Sequence, residues 1–450
     1  MTNVIKLRKG LDIHLQGRAE EKKVSVAKCD EYALVPSAFT GVTPKVVVRE
    51  GDKVQAGDAL FVDKNHPEVL FASPVSGVVT AVERGERRKV LCVKVKADDK
   101  QQFVDFGTSD VTSLKGEQVK AALLKAGLFG YINQLPYAVV ANPSDAPKAI
   151  FVSALRDMPL AGDFKFELKG QEKDFQTGLT ALSKMAKTYL GVGAQQSSAA
   201  LLQAKDVEVN IFDGPCPSGN VGVQVNHLDP VNKGEVVWTV DPTAVIFFGR
   251  LFNTGKVNLT RTIAVAGSEI AAPAYVDALV GTPLTAIPQV AALSGKESVR
   301  LINGNPLTGV QTTTAGFVGG HTSEITAIPE GDHADEIFGW IMPRFKQFSV
   351  SRSYFSWLCG KKEYALDARV KGGERHMIMS GEYDRVLPMD IYGEYLIKAI
   401  IAGDIDKQEQ LGIYEVSPED FALAEFVDSS KLELQKIVRE GLDILRKENA

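Results

Sequence analysis

Residues 46–95 limit the possible folds more than any other stretch: VVVREGDKVQAGDALFVDKNHPEVLFASPVSGVVTAVERGERRKVLCVKV. A first half sets a strand at Val46, Val47 and Val48 before the turn Glu50-Gly51-Asp52. A short strand around Val54, a second turn at Ala56-Gly57-Asp58 and the run Leu60-Phe61-Val62 follow. A second half opens on Ser73-Pro74-Val75-Ser76-Gly77, continues through Val78-Val79 and a basic turn, and closes with residues 90–95. Short alternating apolar runs broken by Gly-Asp turns predict antiparallel β-structure. Glycine and aspartate recur because tight turns need positive φ or a side chain that bonds its own backbone.

The EGDxVxxGxxL and PxxGxV halves resemble the flattened β-sandwich of biotinyl and lipoyl carrier domains. Such carriers present a modified lysine on a hairpin between the halves. Lys64 lies in that interval, but the segment around it is longer than the carrier hairpin. The expectation is therefore a docking domain on a carrier scaffold, since fold alone does not carry function.

A chain of 450 residues has room for about three domains. Its 44% hydrophobic and 24% charged content is ordinary for a protein with sizeable cores. A net charge of −5 gives no nucleic-acid footprint. The basic cluster Arg84, Arg87, Arg88 and Lys89, interleaved with Glu83 and Glu86, reads as a solvated hairpin tip. No signal peptide is read at the start, and residues 244–252 and 395–402, the most apolar stretches, are too short to span a bilayer. Cys29, Cys92, Cys216 and Cys359 are scattered, so no local zinc or iron–sulfur motif exists. His14, His66, His227, His321, His333 and His376 show no i, i+4 pairing. No metal ligand set is expected.

Residues 1–40 suggest strand, glycine turn and strand, and residues 32–44 (YALVPSAFTGVTP) suggest a loop. Beyond Gly107, helices and strands alternate. Helices are expected at 113–125, 175–189 and 242–251, and strands at 149–154, 189–192, 207–212 and 236–240. That alternation argues for a parallel, Rossmann-like α/β sheet. Residues 257–326 return to strands with one short helix after Thr282-Pro283, a β-grasp rhythm. From about Pro343 helices dominate, ending in an amphipathic helix over 429–447 with Leu432, Leu434, Ile437, Val438, Leu442 and Ile444 on one face. The fold class is thus α+β and multidomain. Residues 1–105 hold the N-terminal segment and sandwich, 106–256 the Rossmann-like unit, 257–330 the β-grasp (SLBB-like) unit, and 331–450 a mainly helical unit.

Gly191-Val192-Gly193 lacks the third glycine of a dinucleotide loop, and no GxxxxGK[ST] phosphate loop is present. Asp213-Gly214-Pro215-Cys216-Pro217-Ser218-Gly219-Asn220 forms a rigid loop after a strand. Ligands bind at such strand ends, and a structural crossover explains the loop equally well. No base for Cys216 is legible, so no nucleophile is expected there.

Seven segments in order carry a whole-chain resemblance: IKLRKGLDI, the sandwich halves, AIFVSALRDMPLAGD, DGPCPSGNVGVQVNHLDP, the β-grasp segment, FGWIMPRFKQFSVSRS and VLPMDIYGEYLIKAIIAGD. Together they are similar to the A-subunit family of sodium-translocating NADH:quinone reductases (Na+-NQR). That family is similar in layout to the Rnf complex C subunit, as well as to the flavin-bearing subunit of respiratory complex I. Where the Rnf relative places cluster cysteines, near Leu387-Pro388 and residues 427–430, this chain has none, so the last unit resembles a cluster-less ferredoxin-like region.

The resemblance implies a peripheral subunit on the cytoplasmic side of the bacterial inner membrane, contributing to quinone binding and assembly. NAD, flavins and iron–sulfur clusters are implied for partner subunits, as are NADH oxidation and sodium transport. The implied partners are the other subunits, chiefly those in the membrane, and the implied substrate is ubiquinone or menaquinone. No bound cofactor, catalytic residue or nucleic-acid partner is expected. Aromatic and proline residues suit a quinone slot, which makes Tyr32, Phe39, Pro44, Phe129, Tyr131, Pro136 and Tyr137 its candidate walls. A cofactor-free adaptor and a standalone NAD- or flavin-binding oxidoreductase are the alternatives.

Overall fold

The computed structural model describes residues 3–332, 338, 341–360 and 362–449. His333, Gly339 and Trp340, which belong to the histidine set and to the FGWIMPRFKQFSVSRS segment, lie outside them.

The sandwich forms from two sheets. One runs Glu31–Leu34, Val90–Ala97, Gly77–Arg84, Lys53–Val54, and the other Pro44–Val46, Ala59–Asp63, Leu70–Ala72. Gly51 and Gly57 take φ of +90° and +106° in the two Gly-Asp turns, and the following Asp52 and Asp58 carboxylates accept from Arg49 N and Gln55 N at 2.7 Å. The turn chemistry therefore sets the strand lengths. Two expectations need correction. Residues 31–34 are a strand, because Tyr32 sits opposite Val95 and gains a partner that local composition does not reveal. The strand expected to run through Val48 ends at Val46, whose pairing with Ala59–Asp63 stops there.

The α/β unit is a seven-stranded sheet in the order Asn3–Lys6, Glu208–Asp213, Thr188–Gly193, Ile150–Ser153, Val237–Val240, Ile132–Leu135, Val139–Val140. The first five strands are parallel, and Ile132–Leu135 pairs antiparallel with both Val237–Val240 and Val139–Val140. Val4, Ile5 and the residues beside them thus extend a sheet built some 200 residues later. Helix Pro242–Thr254 begins where Asp241 caps it by accepting from Thr243 N at 2.9 Å, has proline at its first position and ends at left-handed Gly255. It packs on Glu172–Met185, with Gly178 facing the Val245 carbonyl and Gly249 facing the Asp174 carbonyl. This second helix starts before Phe175 and ends at Met185, four residues short of the expected limit. Thr188 is already opposite Ile150 in the sheet.

A six-stranded sheet follows: Val310–Thr312, Val299–Asn303, Glu324–Pro329, Thr260–Ala266, Ala274–Leu279, Glu20–Val24. Its edge is again supplied by the start of the chain. The last unit packs Gly393–Ala402, Ala422–Val427 and Leu434–Glu448 around Leu396, Leu423, Val438 and Leu442. Leu7, Phe212 and Cys216 join this core, so the helical unit is seated on one end of the α/β sheet. Phe61 and Phe71 of the sandwich share a core with Phe129, Trp238 and Phe247 of the α/β unit. Among the described residues no helix is long and apolar enough to cross a membrane.

Candidate functional site

The carboxyl ends of the parallel strands open into a cleft of about 980 Å³, at the large end of the usual range for small-molecule sites. Ser153, the Gly219-Asn220 turn and Asp241 come from the strand ends. Asn303–Ser323 of the β-grasp-like sheet cover it, and Ser417–Glu419, Gln435 and Arg439 close one side. Val35, Ser37, Ala38 and Thr40, with the sandwich residues Glu83, Leu91 and Cys92, close the other. Every unit of the chain contributes a wall.

Charged side chains gather on the floor. Arg156 Nη1 donates to both Glu167 oxygens, at 2.7 and 2.6 Å, and Nη2 donates to Thr243 Oγ1 at 3.1 Å and to Asp241 Oδ2 at 3.4 Å. Arg261, buried on its strand, gives Nη1 to the Gly320 carbonyl at 2.6 Å and holds Nη2 3.8 Å from Asp241 Oδ1. Burial works against the Arg156 charge, but Glu167, Asp241 and Glu324 together hold the guanidinium more firmly protonated than usual. The same burial pushes the Glu167 carboxyl up to about 7, against the pull of Arg156. At Asp241 burial is outweighed by Arg156, Arg261 and His321, which lower it. Burial lowers His321 to about 4, so the ring is neutral at physiological pH.

Among the described residues, four buried polar atoms of the cleft lining have no hydrogen-bond partner: Asp157 Oδ1, His321 Nε2, Glu324 Oε2 and Arg439 Nε. The other Asp157 oxygen accepts from Ser218 Oγ at 2.9 Å and Gly219 N at 2.8 Å. The Gly-Pro-rich loop therefore serves to clamp Asp157, with Cys216–Pro217 in cis. Cys216 itself is buried, and burial together with Asp157 and Asp12 keeps its thiol protonated. Beside the loop, a Cβ at Gly191 would fall 2.0 Å from Gln224 Oε1. That glycine admits the Gln224 side chain, which reaches Ser153 Oγ at 2.8 Å.

Among the sequence candidates, Phe39 and Tyr131 meet edge-to-face at 5.3 Å, and each lies 5.5 Å from the His321 ring. Phe129 turns the other way and packs on Trp238 at 5.4 Å. Tyr32 and Pro44 sit on strands of the two sandwich sheets, outside that aromatic contact. Pro136 follows a cis bond, and Tyr137, at φ +82°, gives its carbonyl to Arg439 Nη2 at 2.6 Å. The cleft surface is made by their neighbours Ala38, Leu135 and Ala138. Sequence reading missed Arg156, Asp157, Asp241, His321 and Glu324. The one available signal was the charge placed directly after a buried strand, in Leu155-Arg156-Asp157 and Val240-Asp241.

Comparison with known proteins matches a family domain to every unit but the last. A model of the NqrA N-terminal barrel-sandwich hybrid domain matches residues 5–98, the NqrA second alpha/beta domain matches 114–257, and the NQRA C-terminal domain matches 262–314. The A subunit of the Na(+)-translocating NADH-quinone reductase of Haemophilus influenzae is 34% identical over 450 residues, covering 99% of this chain and 100% of the relative. The chain belongs to the A-subunit (NqrA) family of Na(+)-translocating NADH-quinone reductases. The protein of the same description from Neisseria meningitidis is 33% identical over 449 residues, with 99% and 100% covered. The chain is thus a subunit of an oxidoreductase that couples NADH and quinone chemistry to sodium transport, and its barrel-sandwich, α/β and SLBB units are those of the family. Among solved structures, an NAD+-reducing [NiFe]-hydrogenase in the air-oxidized state aligns at a TM-score of 0.36 and 14% identity, over 77% of this chain and 67% of that one. A likeness that low bears on neither fold nor function.

Proposed function

We propose that this subunit offers the enzyme a quinone-contacting cleft and sits peripherally at the cytoplasmic face of the membrane, while other subunits oxidise NADH and move sodium. The observation that carries this reading is the cleft at the strand ends, whose wall mixes Leu91, Leu135, Leu155, Met158 and Phe317 with a few polar groups. A quinone ring asks for that mixture: apolar walls for the ring and scattered polar groups for two carbonyls. Phe39 and Tyr131 stand behind the wall and stiffen it. Beneath that wall the Nε2 of neutral His321 has no hydrogen-bond partner among the described residues. The family name of the relatives supplies the substrate class, because an NADH-quinone reductase must bind quinone somewhere.

Titration of the purified chain with a short-chain soluble quinone, followed by tyrosine and tryptophan fluorescence, tests the reading, with NADH as the comparison ligand. A saturable quinone signal with none for NADH supports it. No quinone signal leaves an adaptor that organises its partners, and a saturable NADH signal points to a nucleotide-binding oxidoreductase.

A further inference from the structure

The segment from Ile341 to Lys362 projects bulky apolar side chains into solvent. Ile341 is 61% exposed, Phe355 51%, Trp357 49% and Leu358 61%, with Met342, Phe345 and Val350 exposed as well. Scattered apolar residues on a surface need no explanation, but a contiguous group of this size marks a contact. Contiguity is given by the local geometry. Phe355 N donates to the Pro343 carbonyl at 2.9 Å, the Phe345 and Phe355 rings lie 6.1 Å apart, and Lys362 Nζ donates to the Phe345 carbonyl at 3.0 Å. Phe348 faces inward, 5.5 Å from Tyr364 and 5.9 Å from Phe426, and pins the knot to the helical unit.

The charge of the segment is one-sided. Across these 22 residues Arg344, Lys346, Arg352, Lys361 and Lys362 are basic and none is acidic, in a chain whose net charge is −5. Lys346 and Arg352 are exposed, and the Arg352 guanidinium lies over the Trp357 ring at 5.4 Å. Cations on flexible stems beside tryptophan and phenylalanine, with no carboxylate in the sequence from residue 341 to 362, match the boundary of an anionic bilayer. Aromatic rings settle at headgroup level there, and lysine and arginine meet lipid phosphates. Protein interfaces also gather aromatic residues and arginine around an apolar core, so it is the single sign of the charges here that favours the anionic bilayer.

We propose that this aromatic-basic knot is a lipid-docking surface that seats the subunit on anionic phospholipid. The inference rests on the peripheral position proposed above and is independent of the quinone cleft, so quinone titration and lipid binding fail separately.

The test is flotation of the purified full-length chain with vesicles of phosphatidylcholine alone or mixed with phosphatidylglycerol. Two double variants accompany it, Phe355→Ser with Trp357→Ser and Lys346→Glu with Arg352→Glu. Their side chains are exposed, so thermal melting should stay unchanged and serves as the folding control. The expected result is binding to the anionic vesicles, weakened by salt and reduced roughly tenfold or more in each double variant. Absence of the wild-type chain from the anionic vesicle fraction, or flotation unaltered in both variants, overturns the proposal. So does loss of association with the enzyme's membrane subunits in lipid-free detergent by variants that still float, which would assign the knot to a protein interface.

Discussion

One guanidinium nitrogen of Arg156 bridges both carboxylate oxygens of Glu167, at 2.7 and 2.6 Å, beneath the cleft. Both side chains are largely withdrawn from water, at 10% and 2% exposure. Removing Glu167 leaves the Arg156 guanidinium, which keeps its proton, charged and desolvated. Glu167→Met should therefore lower unfolding stability by about 3–5 kcal/mol, read from urea denaturation. The double variant Arg156→Met with Glu167→Met should recover much of that loss, because no buried charge of the pair then remains. Equal losses in the single and double variants would contradict this assignment.

Gly249 faces the Asp174 carbonyl so closely that a Cβ would fall 1.7 Å from its oxygen. The neighbour is backbone and cannot swing aside. Gly249→Ala should force the two helices apart and cost about 1–3 kcal/mol, although alanine favours helix. A melting temperature equal to or above that of the parent chain would refute the close-contact role.

Glu419 at the cleft wall and the buried Asp420 beside it form an acidic pair. Burial raises Glu419 to about 7, with the Asp420 charge adding to it, and burial raises Asp420 to about 6 although Ser417 and Asn220 hydrogen-bond its carboxylate. Raised folded-state values mean that the folded chain holds protons the unfolded chain has released. The pair's contribution is then fully present below about pH 4 and lost as pH climbs through about 6 to 7. Glu419→Gln should flatten that fall and leave the variant about 1–2 kcal/mol more stable than the parent near pH 8. Urea midpoints measured across that range decide the matter, and parallel pH profiles for the two proteins would contradict the pairing.

The local turn grammar of residues 46–95 was legible because Gly51-Asp52 and Gly57-Asp58 close their turns within a few residues. So were the strand ending at Ser153 and the helix after Pro242, where a buried apolar run or a proline-led start leaves little choice. The edge strands were not. Asn3–Lys6 and Glu20–Val24 draw their pairing from strands some 200 residues or more away, and Glu20–Val24 carries four charges with no apolar alternation. Site residues followed the same division. Phe39 and Tyr131 suggested an aromatic wall by type, and they do meet. The charged floor was hidden because Arg156, Asp241, Arg261 and Glu324 come from four separate segments, and only folding gives each its countercharge.

Quinone affinity by titration calorimetry, comparing the parent chain with Ala315→Trp, bears most directly on the cleft. Ala315 is exposed at the rim of the cavity, so an indole there narrows the mouth without disturbing the core. A quinone-binding cleft predicts saturable binding near one quinone per chain for the parent, and an affinity at least roughly tenfold lower for the variant at unchanged melting temperature. Equal affinity in the two proteins, or no binding by the parent, would contradict it.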